Sequence, residues 1–351
     1  MRRSPPAGRE RLPVPQRDDL RAPTLGDVAL STPLHIVTGK GGTGKTTVAA
    51  ALAIALSSQG GRVLLCEVEG RQQIAQLFDI APLPYEERPI AGTGRGGGEV
   101  YALAVDAEAA LLEYLAMYYR LGRAGKALDR FGVIDFATTI APGVRDVLLT
   151  GKVYEAARRR TDGPDSDFVY DAIVVDAPPT GRIARFLGVN DDVAGLAKVG
   201  PVKNQATSIM SMLRSEQTRV HLVTVLEEMP VQETVDGIEE LSAASLPIGH
   251  IVVNMVRPSL LSEESAEVLD SADVDVDEVA VSLARVSLPS AAAQDLLDEG
   301  SAHLERQRLQ DEQDSLLAAT GRDIVHLPRL ADGIDLGALY DLADDLEEMT
   351  R

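Results

Sequence analysis

The chain has 351 residues, 45% of them hydrophobic, and 34 Lys and Arg against 54 Asp and Glu, a formal net charge of −20. This suffices for one large α/β core or two modest ones, and it disfavours a nucleic-acid partner, which requires a basic surface to displace counterions. The single cysteine, Cys66, excludes an internal disulfide framework and argues against a cysteine-built metal site in one chain; its apolar surroundings give it the reading of a small core residue.

Residues 1–30 carry arginines and Pro5, Pro6, Pro13, Pro15 and Pro23, with no apolar segment of a secretory signal, and read as a disordered leader. Residues 31–351 read as a single domain. A short apolar strand, Leu34–Thr38, runs into glycines; a helix from near Lys45 then continues through Leu56 and stops at Gly60-Gly61. A second strand, Arg62–Val68, completes a βαβ unit, so the sheet is expected to be parallel here. Ala91–Gly98 reads as a glycine loop and Glu99–Val105 as a strand. Residues 106–160 form a helical insert with a break at Ala141-Pro142-Gly143, and a second insert occupies about 191–217. Further strands are expected at Val169–Val175, Arg219–Val225, Ile248–Asn254 and Asp323–Leu327, with one long acidic helix over Ser262–Thr320. The pattern is a doubly wound, mostly parallel α/β sheet with helical insertions. The longest apolar run, Val48–Leu56, is far shorter than the roughly 20 residues of a membrane span, so no intrinsic span and a cytoplasmic location are expected.

Chemistry concentrates first at Gly39-Lys40-Gly41-Gly42-Thr43-Gly44-Lys45-Thr46, followed by Thr47, which satisfies G-x-x-x-x-G-K-[ST] between a strand and a helix. Such glycines let backbone N–H groups turn toward a polyanion, and the helix N-terminus adds its positive dipole end. The motif places Lys45 against the β and γ phosphates of ATP and the Thr46 hydroxyl on Mg²⁺. A carboxylate, Asp176, ends the apolar strand at Val169–Val175, where it can hold Mg²⁺ through water, and the Pro178-Pro179-Thr180-Gly181 after it reads as a γ-phosphate-sensitive switch.

Lys40 makes the loop K-G-G-x-G-K-T, which resembles the deviant Walker A class of dimeric ATPases. Asp176-Ala177-Pro178-Pro179-Thr180-Gly181-Arg182 resembles the second switch, Asp-Thr-Ala-Pro-Thr-Gly-His, of the ArsA/guided-entry family, with Ala177, Pro178 and Arg182 departing from it. Leu226–Thr234, with Glu233-Thr234, is similar to the family's strand-to-helix segment. From residue 34 onward the order and spacing of these motifs resemble that family, and within it the anion-transporting-ATPase-like branch common in actinobacteria. The resemblance implies an ATPase that dimerises, with itself or with a paralogous ATPase subunit, and couples ATP hydrolysis to a protein client. Through such a partner it could sit peripherally at a membrane. It also implies that Lys40 reaches the neighbouring subunit's nucleotide, that Asn254 reads adenine, and that Pro328 begins the loop on the base's other side.

The aspartate of the family's first switch, Asp-Pro-Ala-His-Ser, falls by residue count on Glu69, its proline on Gly70 and its histidine on Gln72, with Arg71 a new charge beside the site. Glu69 is therefore the carboxylate expected to position the attacking water, with Glu67 next in line, and Arg71 is either a surface residue or a phosphate contact. One cysteine per chain cannot supply a thiolate metalloid site, a Cys-x-x-Cys zinc bridge or a subunit-bridging iron–sulfur cluster. The acidic end Asp341–Thr350 contrasts with the basic membrane helix of division-site ATPases. Two other readings stand beside the ATPase: a nucleotide-dependent adaptor with little hydrolysis, and a partitioning-type positioning ATPase. Ile209, Met210, Met212 and Leu213 could line a client surface or serve as core packing.

Overall fold

Buried along its whole length, β1 (Leu34–Gly39) lies inside an eight-stranded sheet of the computed structural model, which describes residues 32–92, 97–119, 143–162, 167–196, 201–271, 274–331 and 333–350. The other strands are β2 (Arg62–Glu67), β3 (Arg88–Gly92), β4 (Glu99–Ala104), β5 (Ala172–Asp176), β6 (Thr218–Thr224), β7 (Ile248–Val256) and β8 (Ile324–Pro328). Their spatial order is β3-β4-β2-β5-β1-β6-β7-β8, and every pairing except that of β3 with β4 is parallel. This is the expected doubly wound α/β sheet. Its strand order reverses at β1, between β5 and β6, and at such a switch point the loops leaving the strand ends separate to form a crevice.

The first crossover helix, α1 (Lys45–Ser57), is apolar on every side, and Val48 to Ala55 are all buried. A helix of that composition requires cover on both faces. The sheet covers one; α11 (Leu336–Asp345) and the 3₁₀ turn Glu347–Thr350 cover the other, with Leu339, Leu342, Leu346 and Met349 in the same core cluster. The acidic C-terminal stretch is thus half core. The opposite core combines one sheet face with side chains of α4 (Val144–Arg158), α5 (Thr180–Leu196), α6 (Pro201–Leu213), α7 (Glu228–Ala243) and α10 (Ala293–Ala318). Ile209, Met210, Met212 and Leu213 are buried in it, which removes them as a client surface and leaves the packing reading. Cys66 is buried, as read.

Other expectations are corrected. Ala91 and Gly92 belong to β3, an antiparallel edge strand with an irregularity between Pro89 and Ala91, where a residue without an N–H is tolerated. A short helix, α2 (Gln73–Leu77), follows β2, and α3 is Ala107–Tyr119. The long acidic helix is divided into α8 (Glu263–Asp270), α9 (Val276–Arg285) and α10. Ser262 and Asp275 cap the first two through their side chains, and Ser287 at φ 63 followed by Pro289 prevents α9 from continuing into α10. Gly143, at φ 95, is the N-cap of α4. The leader at 1–30 and the Ala141-Pro142 part of the expected break lie outside the described residues.

Three imidazoles stack across β1, β6 and β7. His35 Nδ1 lies 3.1 Å from His221 Nε2, and His221 Nδ1 accepts the His250 backbone N–H at 3.1 Å, so His221 carries its proton on Nε2 and donates to His35. Burial, then Arg219 and His250, lowers the His35 pKa to about 4; burial, then its two histidine neighbours and Arg219, holds His221 well below 6.5. His250 is also lowered, mainly by burial and then against the pull of Asp323 and Glu348. Native pKa values below the unfolded ~6.5 mean that the unfolded chain binds more protons at acid pH. Stability is therefore expected to be full above about pH 6.5 and to fall toward pH 4, by ~1.4 kcal/mol per pH unit for each histidine titrating only in the unfolded chain. The raised pKa values of Asp176, Asp146 and Asp345 oppose this, and the lowered one of Glu155 adds to it. Urea midpoints measured from neutral to mildly acid pH check it; a flat profile would contradict the neutral stack.

Candidate functional site

The site lies where β1, β2 and β5 end. Gly39 approaches the Val223 carbonyl so closely that a Cβ would overlap it. At Gly44, with φ 87, a side chain would collide with the Asn254 amide as well as being strained. The loop between them is therefore specified by contact with β6 and β7 as well as by any ligand. α1 begins at Gly44 without a side-chain cap, the condition in which a helix offers its first amides and its dipole to an anion. Thr43 is buried, its hydroxyl donating to the Lys40 carbonyl at 2.9 Å. Lys45, Thr46 and Thr47 are half-buried, while Gly41 and Gly42 are exposed.

Under this loop, Thr46 Oγ1 donates to Asp176 Oδ2 at 2.7 Å and lies 3.0 Å from the Gln73 side-chain amide. A hydroxyl has one proton, so its partner in Gln73 is the donor NH₂ once the amide is turned over. Asp176 is buried, and its pKa is raised to about 6. Burial is the main cause; the Thr46 hydrogen bond and Lys45 lower it, while Glu67 and Glu69 raise it further. A hydroxyl and a carboxylate in contact, both hard oxygen donors, fit Mg²⁺, which keeps several waters and takes one or two protein ligands beside substrate phosphates. Among the described residues there is no cluster of three or more acidic, His or Cys side chains that would form a metal cage by itself.

The two candidate glutamates have different surroundings. Glu67 is buried and accepts the Gln73 and Ile74 backbone N–H groups at 3.3 Å each, so it caps α2. Glu69, two residues on, is 3.8 Å from both Arg71 and Arg182. It therefore touches both switch segments. Lys40 forms a 2.7 Å ion pair with Glu233 of its own chain, and Thr180 Oγ1 lies 3.5 Å from the same carboxylate. Glu233 joins the phosphate loop to the second switch, a pairing that its Glu-Thr motif did not disclose. Thr38 Oγ1 donates to the Pro178 carbonyl at 2.7 Å, anchoring that switch to β1.

Asn254 lies at the far side of the loop. Its Nδ2 donates to the Thr43 carbonyl at 2.9 Å and its Oδ1 accepts the Met255 N–H, so both ends of the amide are held. Pro328 ends β8 beside Val256 of β7 and is exposed.

The profile of the anion-transporting ATPases, ArsA_ATPase, matches residues 33–215, which hold the loop, both switch-like segments, the first helical segment and nearly all of the second. This chain belongs to the ArsA ATPase family. ATPase BagA of Mycobacterium tuberculosis is 53% identical over 321 residues, covering 90% of this chain and 92% of that protein. More distant are the arsenical pump-driving ATPases of Acidiphilium multivorum and Escherichia coli, each 27% identical, covering 67% and 66% of this chain but only 41% and 40% of their own length. As an ArsA-type enzyme the chain is an ATPase. Among the described residues, no helix is long and apolar enough to cross a membrane.

Proposed function

We propose that this ATPase is a Mg²⁺-dependent dimeric switch that couples its nucleotide cycle to a protein client. The observation that carries the reading is the 2.7 Å contact between Thr46 and Asp176 directly beneath the phosphate loop, with both switch segments converging there. The backbone of Gly39 to Thr47 and the Lys45 ammonium bind the phosphates. Thr46, and Asp176 through water, would hold Mg²⁺, which would neutralise developing charge on the phosphate oxygens. Glu69 orients the attacking water in line with the γ-phosphate. Asn254 and Pro328 flank the base; for Asn254 to read adenine it gives up at least one of its two protein hydrogen bonds. Residues 31–351 act as one domain, and the segments at 106–160 and 191–217 form its client-coupling part. That coupling is supported by α5, which starts at Thr180 in the second switch and runs to Leu196, so a switch movement reaches the second segment through one rigid helix.

Lys40 acts on the nucleotide of a second subunit, either another copy or a paralogue. Here it rests on Glu233, with both side chains about one-third exposed, an ion pair that γ-phosphate can replace at little cost. Lys40→Ala is expected to keep most ATP affinity while losing ATP-promoted dimerisation and turnover. Sedimentation with and without ATP, beside steady-state phosphate release, checks this; a strictly monomeric chain with full turnover at every concentration would overturn the dimeric switch. Slow hydrolysis with long nucleotide retention is a second reading, favoured by the two arginines held against Glu69.

A further inference from the structure

A cavity of about 220 Å³ opens between the two switch segments and the first turns of α4. Its polar wall is Glu69, Arg71, Arg145, Asp146 and Arg182, and its apolar floor is Val68, Leu149 and Phe186. Three guanidinium groups thus face two carboxylates in a chain whose net charge is −20. Arg185 adds to the field, since its charge acts on Asp146 together with those of Arg182 and Arg145. Arg71 and Arg182 reach Glu69 only at 3.8 Å, too long for a hydrogen bond, so this contact leaves their N–H donors to another acceptor. The space is smaller than the roughly 300–1,000 Å³ of pockets for drug-sized ligands. A small, multiply charged ion with several acceptor oxygens suits it, because planar guanidinium forks match oxyanions.

Glu69 is shared between this cavity and the hydrolytic end of the site, where its charge acts on Asp176. We propose that the cavity is a tetrahedral-oxyanion site whose ligand is the inorganic phosphate released by hydrolysis. The proposal rests on the hydrolytic role assigned above to the Glu69 side of the site. Phosphate leaving that side passes Glu69 into a wall of arginines instead of returning toward bound ADP. The side chains of Arg71 and Arg182 are more than half exposed, so binding is weak, in the millimolar range, as a departing product requires.

A phosphate loop can itself bind free phosphate, and the experiment separates the two sites. Inorganic phosphate is titrated into the full-length Lys45→Ala protein, with ³¹P line broadening as the readout and Thr46→Ala as a second loop-disabled background. Saturable millimolar binding is expected to persist in both, to be competed by sulfate, and to weaken about tenfold or more when Arg145→Gln and Arg182→Gln are added. Arg145→Lys is expected to restore part of it. Phosphate binding that disappears with Lys45→Ala and Thr46→Ala assigns the ion to the loop alone and overturns the proposal. So does binding indifferent to the arginine substitutions. Binding of a fluorescent ATP analogue to the wild type, read in parallel, tests the nucleotide assignment itself. Failure there with arginine-dependent phosphate binding intact would remove the ATP reading and leave an oxyanion site whose ligand is not a hydrolysis product.

Discussion

Lys45→Ala is expected to abolish detectable Mg²⁺·ATP binding and turnover while leaving the unfolding midpoint nearly unchanged. The Lys45 ammonium is half-buried at the first position of α1, and its charge already acts on Asp176. Hydrogen bonds to charged groups contribute ~1.5–3 kcal/mol each, so losing two phosphate contacts costs on the order of 10²- to 10⁴-fold in affinity. The α1 core begins at Val48, three residues further on, so folding does not depend on the ammonium group. Thr46→Ala is expected to weaken Mg²⁺·ATP with a different accompaniment. It removes the hydrogen-bond donor of the buried Asp176 and should cost ~1–3 kcal/mol of stability. Isothermal titration with ATP, with and without Mg²⁺, beside thermal unfolding distinguishes the two. Unchanged ATP affinity in both variants would contradict the assignment of the loop.

The phosphate loop was legible in the sequence because its chemistry is contiguous: glycines, lysine and threonine occupy fixed places between one strand and one helix. Asp176 was legible for a related reason, since a buried apolar strand must end where a carboxylate can meet solvent or a ligand. Residues whose role depends on distant partners were not. Glu67 and Glu69 alternate along one extended segment, and nothing in that alternation shows that the first is consumed in capping α2. Gln73 beside Thr46 and Glu233 against Lys40 are contacts across 27 and 193 positions, set by the strand order alone. The uniformly apolar α1 called for a second layer, but not for α11, whose amphipathic stripe was hidden among Asp341, Asp344 and Asp345. β3 was obscured because Pro89 and Gly92 are poor strand formers, tolerated at a sheet edge where one side of the backbone needs no partner.

Glu69→Gln is expected to reduce turnover by ~10²- to 10⁴-fold, the usual contribution of a general base or water-positioning group, while ATP still binds. Glu69 follows the end of β2 by two residues, and its side chain is mostly covered, between Arg71 of its own segment and Arg182 of the second switch. Glutamine keeps the shape and one acceptor but loses the charge, so both arginines are released and, in the role proposed for Glu69, the water would lose its base. Glu67→Gln is the informative contrast. Its carboxylate accepts two α2 amides, so the substitution should lower stability by ~0.5–2 kcal/mol, as loss of a helix cap does, with a smaller effect on turnover than Glu69→Gln. Glu69→Asp shortens the reach by one methylene beside Gly70, whose φ of 67 leaves the backbone in a conformation that no proline could adopt. It should retain hydrolysis at an altered rate, because the carboxylate survives while its distance to the water changes. Rapid-quench single-turnover measurements isolate the chemical step from product release in all three variants. Wild-type single-turnover rates for Glu69→Gln together with a large loss for Glu67→Gln would transfer the water-positioning role to the α2 cap.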